Sequence, residues 1–287
     1  MLTFEEQDEF EWSTNEIRML RYMLKNDGIQ FMRYFFRIRE GDELLRNWYH
    51  YVIQHVLDAV LNGEISRLII NLAPGYTKTE QAVLNFIAQG LAINPRSKFI
   101  HTSYSADLAL ENSSKIKETI EHPEYQRLFP MKIKVDTKGK KRWFTEQGGG
   151  MMAASSGGQI TGFRAGRMTK EFNGAFVMDD PVKPDDAYSV VRREAVNNRF
   201  NNTMRSRLAV ESVPMVVIMQ RIHEDDLSGY LLKGGSGDYW HHLTLPTLLD
   251  EETLNKPYPE DYTHGIPINL NEVLQSLAEG EAFQDGF

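Results

Sequence analysis

A lysine and a threonine stand directly after a short apolar run, where a phosphate-binding loop is expected. The run at 68–72 stops at an Ala-Pro-Gly turn, and Lys78 and Thr79 follow just before a helical pattern begins. This order is typical of a strand, a phosphate loop and a helix. The strict P-loop pattern G-x-x-x-x-G-K-[ST] is not met, because Leu72 and Thr77 occupy its two glycine positions. The sequence therefore predicts a variant loop that retains the lysine and the hydroxyl.

Such a loop would bind a nucleoside triphosphate. Phosphoryl transfer depends on positioning and charge neutralisation more than on covalent chemistry. Lys78 would reach the β- and γ-phosphates, and the Thr79 hydroxyl would contact Mg²⁺. Backbone N–H groups at the start of the helix would hold phosphate oxygens. The predicted nucleotide-binding residues of this segment are Pro74, Gly75, Tyr76, Thr77, Lys78, Thr79 and Glu80.

Two carboxylates end a later apolar run at 175–178. An apolar strand followed by Asp179 and Asp180 is a Walker B pattern, in which Asp179 would bind Mg²⁺ through water and Asp180 would orient or deprotonate the attacking water. Taken alone, the pair is equally well explained as a turn after a buried strand. Beside Lys78 and Thr79, the catalytic interpretation is favoured.

Five further residues are candidates for the same site. Gln220 ends the apolar run at 213–219 and would have the sensing role. Tyr49 and Gln54 lie shortly before the loop, off the apolar face of a predicted helix, and are candidates to hold adenine. An arginine is usually needed to stabilise the transition state. Arg164 and Arg167 lie in a glycine-rich stretch that would let them swing toward a neighbouring subunit, although both are equally explained as surface residues.

Apolar runs alternating with helical patterns predict the elements that position these groups. The pattern indicates an α/β fold, a P-loop NTPase of the RecA/ASCE-like class with a mainly parallel sheet flanked by helices and an N-terminal helical extension. Ligands of such sheets sit at the carboxyl ends of the strands, where the three polar clusters fall. Residues 1–40 are predicted to form the extension, 41–249 the ATPase domain, and 250–287 a peripheral segment or linker. The predicted strands are 68–72, 98–103, 142–145, 151–155, 175–178, 213–219 and 239–245.

Composition narrows the class of protein. The 287 residues are 41% hydrophobic, which is enough for a substantial core, and contain no cysteine, which excludes disulfides and thiolate zinc sites. Neither a signal peptide nor an apolar run of bilayer length is present, so a soluble intracellular protein without membrane contact is expected.

The charge balance bears on DNA binding. A net charge of −8 is unusual for a domain whose main task is to grip DNA, so any DNA contact would use a local patch. The basic stretch at 131–142 is better explained as a solvated hairpin tip, and a phosphate-backbone contact is the alternative. Its cations are Lys132, Lys134, Lys138, Lys140, Lys141 and Arg142.

These motifs, in their order, resemble the N-terminal ATPase domain of the large terminase subunit of tailed bacteriophages. The matching segments are RLIINLAPGYTKTE at 67–80, TSYSADLA at 102–109, GQITG at 158–162, DDPVK at 179–183 and RIHEDDL at 221–227. The resemblance implies an ATP- and Mg²⁺-dependent motor that translocates double-stranded viral DNA into a procapsid in the host cytoplasm. It also implies a homo-oligomeric ring on a portal protein, with a small terminase subunit as recruiter.

Three departures from the family pattern have consequences. Gly75 stands where the family loop has an arginine, which moves the expected catalytic arginine to Arg164 or Arg167, acting on the ATP of the next subunit. Thr77 replaces a glycine, and Gln220 replaces a threonine of the coupling motif. The family also carries a C-terminal nuclease domain that would begin where this sequence stops, so ATPase activity without nuclease activity is expected.

Two other functions remain open on the sequence alone. A helicase-like or other P-loop NTPase would share the lysine, threonine and aspartate pattern but would need a second RecA-like domain. A protein that binds nucleotide without catalysis, or binds none, within an assembly is the non-enzymatic alternative, and Thr77 in a glycine position is its best support.

Overall fold

An eight-stranded sheet forms the centre of the chain in the computed structural model, which describes residues 12–137 and 139–279. The strand order is β3-β4-β2-β5-β6-β1-β7-β8, and every neighbouring pair is parallel except β3 with β4. The predicted mainly parallel α/β sheet is confirmed. The strands are β1 Arg67–Asn71, β2 Lys98–Ser103, β3 Arg142–Phe144, β4 Gly150–Ser155, β5 Phe176–Asp179, β6 Met215–Met219, β7 Trp240–Thr244 and β8 Gly265–Pro267.

Helices cover both faces of this sheet. The α-helices are α1 Thr14–Asn26, α2 Gly28–Glu40, α3 Trp48–Leu61, α4 Phe86–Ile93, α5 Ala106–Glu121, α6 Pro123–Leu128, α7 Val190–Arg199, α8 Leu227–Leu232, α9 Glu251–Leu254 and α10 Leu270–Glu279. Two π-helices, Glu80–Asn85 and Phe200–Met204, continue directly into or out of α-helices. Single 3₁₀ turns occupy Val135–Thr137, Pro184–Asp186 and Arg205–Arg207.

The central strands are apolar because both of their faces are covered. All five residues of β1 and of β6 are buried. Since side chains alternate across a strand, Leu68 and Ile70 enter the core on one face and Ile69 enters the core on the other. This double burial explains why the sequence shows continuous apolar runs here instead of an apolar-polar alternation.

The N-terminal extension is part of the main core. Ser13 and Glu16 form a capping box at the start of α1. From α2, Phe31 and Phe35 are fully buried and their rings pack against Tyr125. The extension predicted for residues 1–40 is helical in its described part, while residues 1–11 lie outside the described residues. Its two helices add to the hydrophobic core of the sheet domain.

The segment after β7 is more ordered than the sequence indicates. Strand β8 extends the sheet at its edge, beside β7, and Val273 of α10 is buried in the main core. The sequence did not predict β8, because it is three residues long and ends in Pro267, a residue that strands tolerate at a sheet edge.

The basic hairpin lies at the opposite edge of the sheet. Its lysines and Arg142 are exposed where the structure describes them, and Lys138 lies outside the described residues. Exposed cations are expected both of a solvated tip and of a phosphate-backbone contact, so the solvated tip stays a prediction.

Candidate active site

Three polar clusters meet at the carboxyl edge of the sheet, as expected from the adjacent positions of β5, β6 and β1. Lys78 Nζ lies 2.5 Å from Asp180 Oδ2, and Thr79 donates a hydrogen bond of 2.6 Å from Oγ1 to Asp179 Oδ2. The backbone N–H of Gln220 donates to Asp180 Oδ1 at 3.2 Å. The structure thus brings together the five residues that the sequence placed at three different strand ends.

Backbone strain is concentrated in this site. Among residues 12–137 and 139–279, positive φ outside glycine occurs at Thr77, with φ 48°, and at Asp180, with φ 42°. The left-handed region costs a residue with a Cβ roughly 1–2 kcal/mol, somewhat less for aspartate. Such conformations persist only where the surroundings hold them, and they cluster at functional sites.

The surroundings hold Asp180 through its backbone as well as its side chain. Its N–H donates to the carbonyl of Ile218 in β6, and its carbonyl accepts from the N–H of Tyr104, both at 2.9 Å. With Lys78 and Gln220 on the carboxylate, Asp180 is fixed at four atoms. The carboxylate is therefore held next to Lys78, at the end of the loop that follows β1.

Thr77 is held by a histidine that the sequence did not single out. His50, on the first turn of α3, is fully buried, and its Nε2 lies 2.7 Å from Thr77 Oγ1. The N–H of Asn47 donates to the other ring nitrogen, Nδ1, at 2.9 Å, so the ring proton is on Nε2 and donates to the threonine. Burial lowers the pKa of His50 to about 4, which keeps the ring neutral near pH 7.

Two more contacts join the start of α3 to the loop. The Tyr49 ring packs against Tyr76 with centroids 4.6 Å apart. Gln81, just after the loop, donates from Nε2 to the backbone carbonyl of His50 at 2.7 Å. The sequence signal that could have indicated this docking was the N-cap to N3 spacing of Asn47 and His50, which form a capping box.

The helix after the loop begins next to the candidate site. The N–H of Gln81 donates to the carbonyl of Thr77, which is the first hydrogen bond of that helix. The N–H groups that precede it in a helix have no partner within it, and they favour anions. The π-helix Glu80–Asn85 follows at once, and Glu80 is tied to Arg39 of α2 at 2.5 Å. Wide turns of this kind are frequent at functional sites.

Asp179 and Thr79 have the properties of ligands for a magnesium ion. Asp179 is 5% exposed, and its Oδ1 is buried with no hydrogen-bond partner among the described residues. Burial, with a smaller contribution from the Asp180 charge, raises the pKa of Asp179 to about 6, whereas Thr79 and Lys78 act in the opposite direction. A divalent cation would stabilise this carboxylate and satisfy the orphaned oxygen.

The ion would take its remaining ligands from elsewhere. Within the described residues, no group of three or more His, Cys, Asp or Glu side chains is arranged to hold a metal. Mg²⁺ commonly binds through one or two protein oxygens together with water and substrate phosphates. The residues present fit that mode.

The two adenine candidates have different surroundings. Tyr49 is half-buried beside the loop, with its ring next to Tyr76. Gln54 is buried behind the loop, where it donates to Asp58 at 2.8 Å and accepts from Gln81 at 3.2 Å. A Cβ at Gly28 would come within 1.8 Å of the Gln54 amide, so α2 closes over it. The Gln54 amide is therefore engaged inside the protein, and that Gln54 or Tyr49 holds adenine stays a prediction.

Arg164 and Arg167 lie at the other end of the sheet. The N–H of Gly166 between them donates to the carbonyl of Lys98, the first residue of β2. Asp179 pairs with Ser103, the last residue of β2. Five strand steps of about 3.3 Å place the arginines some 16 Å from the site.

The backbone around these arginines is held firmly instead of being free to swing. Ala165 is fully buried, and the N–H of Arg167 donates to Asn173 at 2.8 Å. Gly166 has φ 70°, and a Cβ there would meet Val213 at 2.2 Å. Glycine is therefore required at this position by close packing and by a tight turn, not by mobility.

No family model and no curated protein matches the chain. Among solved structures, the crystal structure of the HK97 bacteriophage large terminase is similar, with a TM-score of 0.48 and 12% sequence identity. The match covers 91% of this chain and 53% of that one, so the chain spans about half the length of the similar structure. A likeness this distant assigns no residue and no activity.

Within residues 12–137 and 139–279, none of the helices combines the length and apolar character that crossing a membrane requires.

Proposed function

We propose that the chain is an ATP hydrolase of the P-loop, RecA/ASCE-like class. The observation that carries this proposal is the pair of contacts Lys78–Asp180 and Thr79–Asp179 at one strand edge. Coincidental motifs would have no reason to meet in this way, since the two segments are about a hundred residues apart in sequence.

The residues divide the work of hydrolysis between them. Lys78 would neutralise the β- and γ-phosphates, and the loop N–H groups of Gly75 to Thr79 would hold phosphate oxygens. To reach the phosphates, Lys78 must leave Asp180. That exchange frees one oxygen of Asp180 to orient the attacking water and to take its proton, while the Gln220 N–H keeps the other oxygen in place. Bound Mg²⁺ would supply charge neutralisation next to Asp179 and Thr79.

We further propose that this hydrolysis drives a viral DNA-packaging motor of the terminase type. The order of the motifs along the chain and the central sheet that carries them support it. The proposal includes double-stranded DNA, a portal protein and a small terminase subunit as partners, in a ring in the host cytoplasm. Because Arg164 and Arg167 are remote from the site of their own chain, either would act as catalytic arginine only on a neighbouring subunit.

One observation favours a second function, nucleotide binding without hydrolysis. The strained Thr77 replaces the glycine of the P-loop, and both carboxylate oxygens of Asp180 already have partners. If nucleotide left the Lys78–Asp180 pair intact, no carboxylate oxygen of Asp180 would be free to act on water.

The test is Mg²⁺-dependent ATP hydrolysis by the wild type, Lys78→Ala and Asp180→Ala, measured over a range of protein concentrations. A rising specific activity with concentration is expected if an arginine comes from a neighbour. Lys115→Ala is the matched control, since Lys115 is a lysine paired with a carboxylate, Glu111, on the surface of α5. Hydrolysis should be lost in both site variants and kept in the control. Equal activity in the wild type and the site variants would leave nucleotide binding alone as the function of this loop.

A further inference from the structure

The loop has a residue in the left-handed conformation where a P-loop has glycine, and the structure contains a device that compensates. Thr77 has φ 48°, and its hydroxyl lies 2.7 Å from Nε2 of the fully buried His50. A glycine would adopt this backbone conformation at no steric cost. A threonine, which is β-branched, adopts it only where its surroundings enforce it.

His50 is well placed to enforce it. The Asn47 N–H fixes the ring from behind through Nδ1, and Gln81 holds the His50 backbone carbonyl. With both its ring and its backbone anchored, the Nε2–H group points at one place. The Thr77 hydroxyl is at that place only while the backbone of Thr77 keeps its left-handed angle.

We propose that His50 is a positioning residue that holds Thr77, and with it the phosphate loop, in the conformation that binds a triphosphate. His50 touches no reacting atom. It acts through Thr77, whose neighbour Lys78 carries the charge. The role in nucleotide binding rests on the proposed function, whereas the clamp on the loop backbone does not.

The threonine at position 77 and the histidine at position 50 are then functionally linked, because the histidine compensates for the missing glycine. In a loop with glycine at position 77, nothing would need to be held. In this loop, the hydrogen bond from His50 of α3 stabilises the left-handed backbone of Thr77. A glycine would adopt that backbone conformation without such a bond. The two positions should therefore be energetically coupled, and His50 should matter much less when residue 77 is glycine.

A purely structural role for His50 must be separated from the clamp. The ring also accepts the Asn47 N–H in the capping box of α3, so its loss could weaken that helix alone. Two variants separate these functions, because each keeps a polar atom near only one of the two ring nitrogens. His50→Asn keeps an acceptor at the Nδ1 position and removes the donor to Thr77. His50→Gln keeps a donor near the Nε2 position and removes the acceptor.

The experiment measures the dissociation constant of a fluorescent ATP analogue for His50→Asn and His50→Gln, each in the wild-type and the Thr77→Gly background. With Thr77 present, His50→Asn is expected to weaken binding about tenfold and His50→Gln less than threefold. In the Thr77→Gly background, His50→Asn is expected to cost less than threefold relative to Thr77→Gly itself. Equal losses in both backgrounds would overturn the clamp, as would an unaffected His50→Asn protein.

A second readout does not depend on nucleotide. Hydrogen exchange of the backbone amides at 75–79, in the absence of any ligand, should be about tenfold faster in His50→Asn than in the wild type. Exchange in α3, and thermal unfolding of the whole chain, should change little, because the capping acceptor is kept. If the wild type binds no nucleotide, the proposed function fails and this exchange still tests the clamp. Unchanged loop exchange, or faster exchange in α3 only, would refute it.

Discussion

Positively charged side chains have opposite surroundings at the two ends of the central sheet. At the carboxyl end, Lys78 is largely buried and paired with Asp180. At the amino end, four cations line a cavity of about 380 Å³, and the described residues that line it include no acid. The four cations are Arg96, Lys98, Arg164 and Arg167. In a chain with a net charge of −8, such a group stands out.

The difference bears on which cation can exchange its partner. Under the proposed function, a phosphate would replace Asp180 as the partner of Lys78, so ligand binding there would be a competition within a fixed site. At the amino end, burial together with the charge of Arg167 lowers the pKa of Lys98, which means that like charges repel each other there. An anion at that end would relieve repulsion and would displace nothing.

The largest expected effect tests whether an arginine at the amino end of one copy's sheet acts as the catalytic arginine at the carboxyl end of another copy's sheet. Arg164→Ala or Arg167→Ala should abolish hydrolysis, by about a thousandfold, as removal of a catalytic arginine does. ATP binding should be spared, since neither residue is near the nucleotide loop of its own chain. Hydrolysis and nucleotide affinity are measured at high protein concentration, with Arg96→Ala as a control in the same cavity.

Weakened ATP binding with unchanged turnover at saturation would show that these arginines are not the catalytic ones. An equal loss in Arg96→Ala would assign the effect to the charge of the whole cavity.

The next effect concerns the packing of the amino end. Gly166→Ala should destabilise the fold by roughly 2–4 kcal/mol, because it combines a positive φ with a Cβ that overlaps Val213. Gly157→Ala is the matched control from the same glycine-rich stretch, where a Cβ meets no atom within 4 Å. Urea unfolding of both variants measures the difference. Equal stability would mean that the arginine segment is a mobile loop after all.

At the carboxyl end, Asp180→Asn should separate binding from catalysis. Asparagine tolerates the left-handed conformation, so the backbone at φ 42° is kept. Hydrolysis should fall by about a hundredfold with the loss of the general base. Nucleotide should bind at least as tightly as to the wild type, because Lys78 is released from its partner. Single-turnover hydrolysis and equilibrium binding measure the two quantities, and weaker binding would contradict the proposed exchange.

The smallest effect is a pH dependence at His50. Its folded pKa of about 4 lies below the unfolded value of 6.5, so the unfolded chain takes up a proton first as the pH falls. The stability associated with the neutral ring is therefore complete above pH 6.5 and is lost progressively from pH 6.5 towards pH 4. Relative to His50→Asn, the wild type should therefore lose about 2 kcal/mol of stability between about pH 7.5 and pH 5.

Urea unfolding at the two pH values checks this prediction. A difference that stays constant would mean that His50 is not held neutral. His101 and His242 are also buried with lowered pKa values, and they contribute equally to both proteins.

Much of the fold could be predicted from the sequence because its signals are local. The central strands are continuous apolar runs, and each ends at a polar residue. Parallel strands that carry polar groups at their carboxyl ends place those groups on one edge. Lys78, Thr79, Asp179 and Asp180 were therefore predictable as a set. Strand β8 was not, since three residues with a terminal proline give no period to detect.

The positions that sequence could not resolve depend on which element packs against which. Gln54 is close to the loop along the chain, but α2 packs over it with Gly28 and its amide is used inside the protein. The glycines near Arg164 indicated mobility, but the neighbour of Gly166 is Val213, from a distant part of the chain. Such contacts bring together residues that are far apart in sequence, and no local pattern encodes them.

By itself, the sequence determined which polar groups meet at the candidate site: a lysine, a hydroxyl and two carboxylates at the ends of buried strands. Only the tertiary structure decided how a loop without its glycine keeps its shape. In the sequence, His50 is one of several polar residues of an apolar helix. In the structure, α3 packs against the loop, and His50 Nε2 lies next to the Thr77 hydroxyl. The physical reason is that residue types set which hydrogen bonds are possible, whereas packing sets which of them are made.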